Sequence, residues 1–292
     1  MRTIVISGGT DGMGNALART YLSRGDTVVV LGRDAGKGKD FRAAAAEGGA
    51  GERAVFLQAD LSLVAENRRV IETLTARFPV VDVLVLCARH FRSTRRMTAE
   101  GFEGTFALEY LSRYLLSHGL VASLERADRP VIVNVSGPAD VPVGEIRWDD
   151  LGLDRRYAGV AAQLQAGRAN DLLGIAFAAA HTAGRTRYVL VNPGMVATSF
   201  SGEYDPATAA HVAMMKRMGK PVERGIAPIV LAIDDPPAEP LSAFAEDRRI
   251  RLRPPFFDEG AARRLHDLTR GLLPGGPDTS ARRAGAAGGE DR

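Results

Sequence analysis

The residues Ser7-Gly8-Gly9-Thr10-Asp11-Gly12-Met13-Gly14 follow a β-branched run, Thr3–Ser7, and precede a helical pattern from Asn15 to Ser23. Glycines between a strand and a helix let the backbone approach a pyrophosphate, and the helix N-terminus behind them offers free N–H groups and a partial positive charge. At the start of a chain that goes on alternating strands and helices, this loop predicts nucleotide binding rather than a mere tight turn. Further β-branched runs at Thr27–Leu31, Arg53–Gln58, Asp82–Cys87, Pro130–Ser136 and Arg187–Asn192 are separated by stretches long enough for crossover helices. Apolar on both faces, they predict a parallel sheet covered by helices on each side, a doubly wound α/β architecture. No Pro/Gly linker interrupts it, so one domain is expected over residues 1–270, with a helical excursion at 198–220 and a Pro, Gly, Ala and Arg-rich disordered tail at 271–292.

With 292 residues, 45% hydrophobic and 25% charged, the chain can bury a full core. A single cysteine, Cys87, excludes a disulfide framework and a cysteine-rich metal site, and makes a reducing cytoplasm the expected compartment. Cys87 itself reads as inert packing, and no metal site is expected. No apolar run approaches the roughly 18 residues of a membrane helix. The chain enters a strand directly after Met1-Arg2, which leaves no room for a leader peptide. The formal charge of +3 comes without a block of like charges, so neither nucleic acid nor membrane is an expected partner. Only four of the 38 basic residues are lysines, and none lies between Asp40 and Met215.

At the end of the second strand, Arg33 stands where dinucleotide sites that take NAD place an acidic ribose ligand. Arginine there pairs a 2′-phosphate, so NADP(H) is the expected cofactor. Asp60 and Leu61, after the third strand, are placed to bracket the adenine. Together with the glycine pattern, the segments Thr98–Glu103, Val133-Asn134-Val135-Ser136, Ala169-Asn170 and Asn192–Thr198 resemble, in order, the short-chain dehydrogenase/reductase family in its retinol-dehydrogenase-like branch. The resemblance covers about residues 1–270. It implies a Rossmann-type domain with a parallel sheet of about seven strands, an NADP(H)-dependent oxidoreductase, a small-molecule substrate, and a substrate lid at 198–220. A homodimer stays open. Gly8, Thr10, Asp11, Gly12, Met13, Gly14, the turn Cys87-Ala88-Arg89, and the segment with Pro193, Gly194, Val196 and Thr198 would line the cofactor.

The family works with Asn, Ser, Tyr and Lys, and all four differ here: Glu109, Gly137, Gln163 and Gly167 stand at those positions. The stretch without lysine forbids a Tyr–Lys pair under any alignment. Losing a general acid costs about 10²–10⁴ in rate, which an ordinary ketone reductase could hardly bear. A hydride acceptor that is already cationic, such as the iminium left when a hemiaminal loses water, develops no alkoxide and needs no tyrosine. Glu109 for an amide and Gly167 for an ammonium leave a carboxylate with no fixed positive charge beside it, suited to such a cation. Burial would let Glu109 also protonate the departing hydroxyl. His90 is a second acid/base candidate and Ser136 a substitute hydroxyl, while Tyr157 reads as a loop anchor. Gln163, Met195 and Met214 are expected against a bulky, apolar substrate such as a natural product, in tailoring or detoxification. The alternatives are a non-redox cyclase, dehydratase or isomerase on the same fold, and a non-catalytic NADP(H) sensor.

Overall fold

Strands rich in valine and isoleucine on both faces are buried only if helices cover each side of their sheet. A computed structural model, which describes residues 1–137 and 144–273, has that arrangement. The strands are β1 (Thr3–Ser7), β2 (Thr27–Gly32), β3 (Ala54–Gln58), β4 (Val83–Leu86), β5 (Phe91–Arg92), β6 (Val131–Val135), β7 (Arg187–Asn192), β8 (Gly202–Glu203), β9 (Leu241–Ala245) and β10 (Arg248–Arg249). Eight of them form one sheet in the order β10-β9-β7-β6-β4-β1-β2-β3. Every neighbouring pair is parallel except β9 and β10, so seven parallel strands carry one short antiparallel edge. No β-branched run marks β9, whose sequence LSAFA has weak strand propensity. It forms because pairing with β7 buries Ser242 and Ala243.

The helices are α1 (Gly12–Ser23), α2 (Ala35–Glu47), α3 (Val64–Arg77), α4 (Gly104–Phe106), α5 (Ser112–Gly119), α6 (Val121–Leu124), α7 (Gly159–Ala180), α8 (Pro206–Met218), α9 (Val222–Asp234) and α10 (Glu259–Leu272). One sheet face packs Val28, Val30 and Val133 against Leu17 and Tyr21 of α1 and Ile226 and Ile229 of α9. The other packs Val29, Leu84 and Ile132 against Leu74 of α3, Leu116 of α5, Leu172 and Phe177 of α7 and Leu265 of α10. The chain runs outward one way through β2 and β3 and the other way through β6 and β7. The crevice between the carboxyl ends of β1 and β4 is therefore the topological switch point where such sheets bind ligands. Ser7 and Leu86 stand side by side there, one residue before Gly8 and Cys87.

Two expected boundaries are corrected. The excursion at 198–220 is helical only in α8; before it, β8 pairs with β5 in a separate two-stranded ribbon, where Phe91 stacks on Tyr204 at 5.4 Å. A partner more than a hundred residues away in the chain, itself two residues long, leaves no local periodicity to read. The helix α10 runs to Leu272, past the expected end of the domain, because Leu265 and Thr269 are buried and hold its last turns. The rest of the expected tail, from 274 on, lies outside the described residues. No described helix is long and apolar enough to cross a membrane.

Three of the five histidines meet where α5, α7 and α10 converge: His118 Nδ1 lies 3.2 Å from His181 Nε2, and the His118 and His266 rings are 5.6 Å apart. Burial, with His181 and His266 nearby, pushes the His118 imidazole down to about 3, and burial lowers the other two as well. The His118 ring therefore stays neutral in the folded chain through the mildly acidic range where it takes a proton in the unfolded chain, below about 6.5. It then removes up to about 1.4 kcal/mol of stability per pH unit as pH falls. The midpoint of urea unfolding should drop on acidification from pH 7 to 5, and His118→Phe should retain more of it; equal slopes for both proteins would exclude His118 as a cause.

Candidate active site

The switch-point crevice opens into a cavity of about 730 Å³. Its floor is the glycine loop. Gly8, at φ +71°, lies so close to the β4 end that a Cβ would sit 2.8 Å from Ala88 Cα, and a Cβ on Gly14 would strike the Gly8 carbonyl. Asp11 caps α1, accepting from Gly12 N at 2.7 Å, and is ion-paired to Lys37. Burial pushes the Asp11 carboxyl up, but the Lys37 ammonium and the Gly12 N–H outweigh it and hold it below the usual range. Thr10, Met13, Arg33, Lys37, Asp60 and Leu61 line the same half of the cavity. Asp60 Oδ1 accepts from Ser62 N at 3.0 Å and Ser62 Oγ at 2.7 Å, which shapes the turn into α3.

The other half holds the positions that resemble a catalytic centre. Glu109 sits in a π-turn, Ala107–Leu111, inserted between α4 and α5. The turn has a local cause. Asn170 Nδ2 of α7 donates to the Glu109 carbonyl at 2.8 Å, while Ser112 N reaches back five residues to Ala107 O. The Glu109 carboxyl is buried: Oε1 accepts from His90 N at 3.3 Å and from Gln163 Nε2 at 3.1 Å, and Oε2 lies 3.8 Å from Arg89 Nε. Burial pushes this carboxyl above the ordinary carboxylate range, against the pull of Arg89 and Arg113. Arg89 NH2 in turn donates to Gln163 Oε1, so Gln163 is held between cation and carboxyl.

The expectation that no fixed positive charge stands beside Glu109 is overturned. The Arg89 guanidinium arrives from the β4 loop, and Arg113, one helical turn after Glu109, is buried beneath it. Arg113 donates to Val135 O at 2.8 Å, to Ala88 O at 3.1 Å and to Asn134 Oδ1, tying the ends of β4 and β6 together. Its spacing of four from Glu109 on a helix was the legible sign of a shared face.

His90 meets Glu109 through its backbone. Its imidazole bonds Ser201 Oγ at 2.8 Å and lies 3.3 Å from an Arg33 nitrogen, and burial followed by the Arg33 and Arg92 charges lowers its pKa. Ser136 Oγ is buried beside the cavity with no hydrogen-bond partner among the described residues. Gly137 and Gly167 both line the cavity, and a Cβ added to either would meet no atom of the described residues within 4 Å. By contrast, a Cβ on Gly174 of the same helix would sit 2.9 Å from a Leu241 methyl. Tyr157 donates to Arg92 O at 3.1 Å and anchors its loop. Burial, partly offset by Arg113, pushes the Cys87 thiol up to about 12, which makes it a poor nucleophile.

Cys87, Ala88, Arg89, Pro193, Gly194, Met195, Val196 and Thr198 all reach the cavity. Met214 does not: it faces solvent at 41% exposure, and the cavity side of α8 is Thr208, His211, Val212 and Met215, spaced as one helical face. The reading also missed Lys37, and Phe200 and Tyr204 of the segment that joins β7 to α8. Lys37 follows Arg33 by four residues in the first turn of α2, a legible position. The other two reach the cavity only through the ribbon with β5.

The short chain dehydrogenase family profile matches residues 2–144. Among curated relatives, an uncharacterized oxidoreductase of Saccharomyces cerevisiae is 29% identical over 67% of this chain and 61% of its own length. Retinol dehydrogenase 14 of Mus musculus is 26% identical over 93% of this chain and 86% of its own. Among solved structures, an uncharacterized protein from Mycobacterium paratuberculosis superposes with a TM-score of 0.73 at 25% identity, covering 93% of each chain. The chain thus spans under two thirds of the yeast relative's length.

Arg113→Met would strand the acceptors Asn134 Oδ1, Val135 O and Ala88 O in the interior. A loss of about 2–5 kcal/mol in chemical unfolding is expected; a change under about 1 kcal/mol would show that the clamp is not needed.

Proposed function

Because the chain belongs to the short-chain dehydrogenase/reductase family, we propose that it is an NADP(H)-dependent oxidoreductase that reduces a cationic C=N carbon in a bulky small molecule. The residues present fit the dinucleotide. The glycine loop has no room for side chains where it meets the β4 end, and the N-terminus of α1 opens onto the cavity. Arg33 and Lys37 would hold a 2′-phosphate, and Pro193, Gly194 and Thr198 would lie along the nicotinamide. When bound, the reduced cofactor supplies hydride.

The observation that carries the reading is the buried Glu109 carboxyl, whose pKa burial raises above the ordinary carboxylate range, at a centre without the family's Tyr-x-x-x-Lys element. A protonated Glu109 donates its proton to the hydroxyl leaving a hemiaminal, and the C–O bond breaks with loss of water. The carboxylate that remains faces the iminium and stabilises it from a buried position. His90 N and Gln163 Nε2 keep that carboxylate oriented. Arg113 is spent on three backbone and side-chain acceptors, and Arg89, 63% exposed, can be drawn toward solvent. The open space at Gly137 and Gly167 and the apolar rim of Val160, Leu164 and Met195 suit a large substrate.

Purified protein with NADPH should consume the cofactor on addition of hemiaminal-forming amine and aldehyde pairs, and no turnover across a broad panel would sink the reading. Glu109→Gln should lower turnover of hemiaminals by about 10²-fold or more with NADPH affinity nearly unchanged. Wild-type turnover should fall as pH rises through the elevated Glu109 pKa, a limb that the variant loses. Arg33→Ala and Lys37→Ala should each weaken NADPH about tenfold or more in calorimetry while sparing NADH; equal losses for both cofactors would argue against a 2′-phosphate role.

A further inference from the structure

Gln163 is oriented at both ends: its carbonyl accepts from Arg89 and its amide donates to Glu109, so a cation and a carboxyl face the cavity side by side. Arg89 Nε and Glu109 Oε2 are 3.8 Å apart, yet the two differ in surroundings, since Arg89 is 63% exposed and Glu109 buried. We propose that this pair recognises a zwitterion: the substrate is an iminium whose C=N carbon also bears a carboxylate, with Arg89 receiving the carboxylate and Glu109 facing the nitrogen.

The energetics of the two partners favour this class. Once Glu109 has given up its proton, a ligand carrying only an anion would pull Arg89 away and leave the buried carboxylate without its counter-charge, which is costly. A ligand carrying only a cation would take Glu109 and release Arg89 to water, which gains nothing from the arginine. An α-iminium carboxylate exchanges the internal pair for two new pairs, so no charge is left unmatched. Its two charged groups are carried on one carbon, matching the side-by-side placement of guanidinium and carboxyl. The guanidinium is planar and forked, the geometry that takes a carboxylate through two hydrogen bonds. Added Cβ atoms at Gly137 and Gly167 would touch no atom of the described residues, which leaves space there for the remaining substituents.

This inference rests on the cationic C=N reading above and sharpens it. In the step it implies, hydride from the reduced nicotinamide forms a C–H bond at the C=N carbon and the π pair moves to nitrogen. The carboxylate is unchanged, the cofactor loses two electrons, and the product is an N-substituted α-amino acid.

Calorimetry with N-benzylalanine and its descarboxy analogue N-benzylethylamine, on the full chain with NADP⁺ present, tests recognition apart from turnover. The carboxylate-bearing ligand should bind about tenfold or more tighter. Arg89→Gln should erase that difference, and Arg89→Lys should restore part of it. Equal binding of the two ligands to the wild type, or an unchanged ratio in Arg89→Gln, overturns the inference. Turnover of the matching pair of iminium ions separates it from the broader reading. Reduction of both at equal rates leaves the cationic C=N reading standing and the zwitterion refuted. Reduction of neither, with ligand discrimination intact, refutes the reductase and leaves the zwitterion site.

Discussion

The buried Arg113 guanidinium holds the site together. It joins the carbonyl ends of β4 and β6 through Ala88 and Val135, and through Asn134 it reaches α7, because Asn134 Nδ2 donates to Asn170 Oδ1 at 2.9 Å. Asn170 in turn takes the carbonyl of Glu109 and opens the π-turn. Three elements of the switch-point crevice are thus fixed by one buried side chain, whose two terminal nitrogens donate to Asn134 Oδ1, Val135 O and Ala88 O. A charge that deep is tolerated only with such partners.

Above that clamp, Gly137 and Gly167 border space that no atom of the described residues fills. A mid-helix glycine such as Gly167 costs roughly 1 kcal/mol relative to alanine, and its surroundings give no steric reason for it, unlike Gly174 packed on Leu241. The Ser136 hydroxyl, unpartnered among the described residues, borders the same space. Glycines without a packing role, beside an unsatisfied hydroxyl and a carboxyl raised by burial, describe a cavity shaped for something outside the protein.

Much of this was legible in the chain. The glycine loop, the β–α alternation and the place of Arg33 depend on neighbours in sequence, and local order suffices to read them. The ribbon of β5 and β8, the strand β9 and the inward face of α8 depend on partners far along the chain. Met214 shows the difference at the scale of one residue: methionines in the lid could be read, but which of them turns inward follows from the roll of α8 about Val212, its one buried residue.

The sequence by itself determined that no Tyr-x-x-x-Lys element of the resembling family's kind can stand on α7, since no lysine lies between Asp40 and Met215. It determined too that a glycine loop opens the first helix, because strand, glycines and helix are contiguous. Only the tertiary structure decided the electrostatics around Glu109. Its burial, the N–H of His90, the amide of Gln163 and the guanidinium of Arg89 come from separate segments, and a carboxyl's proton affinity is the sum of desolvation and charges within a few ångströms. That sum exists only once the chain has folded.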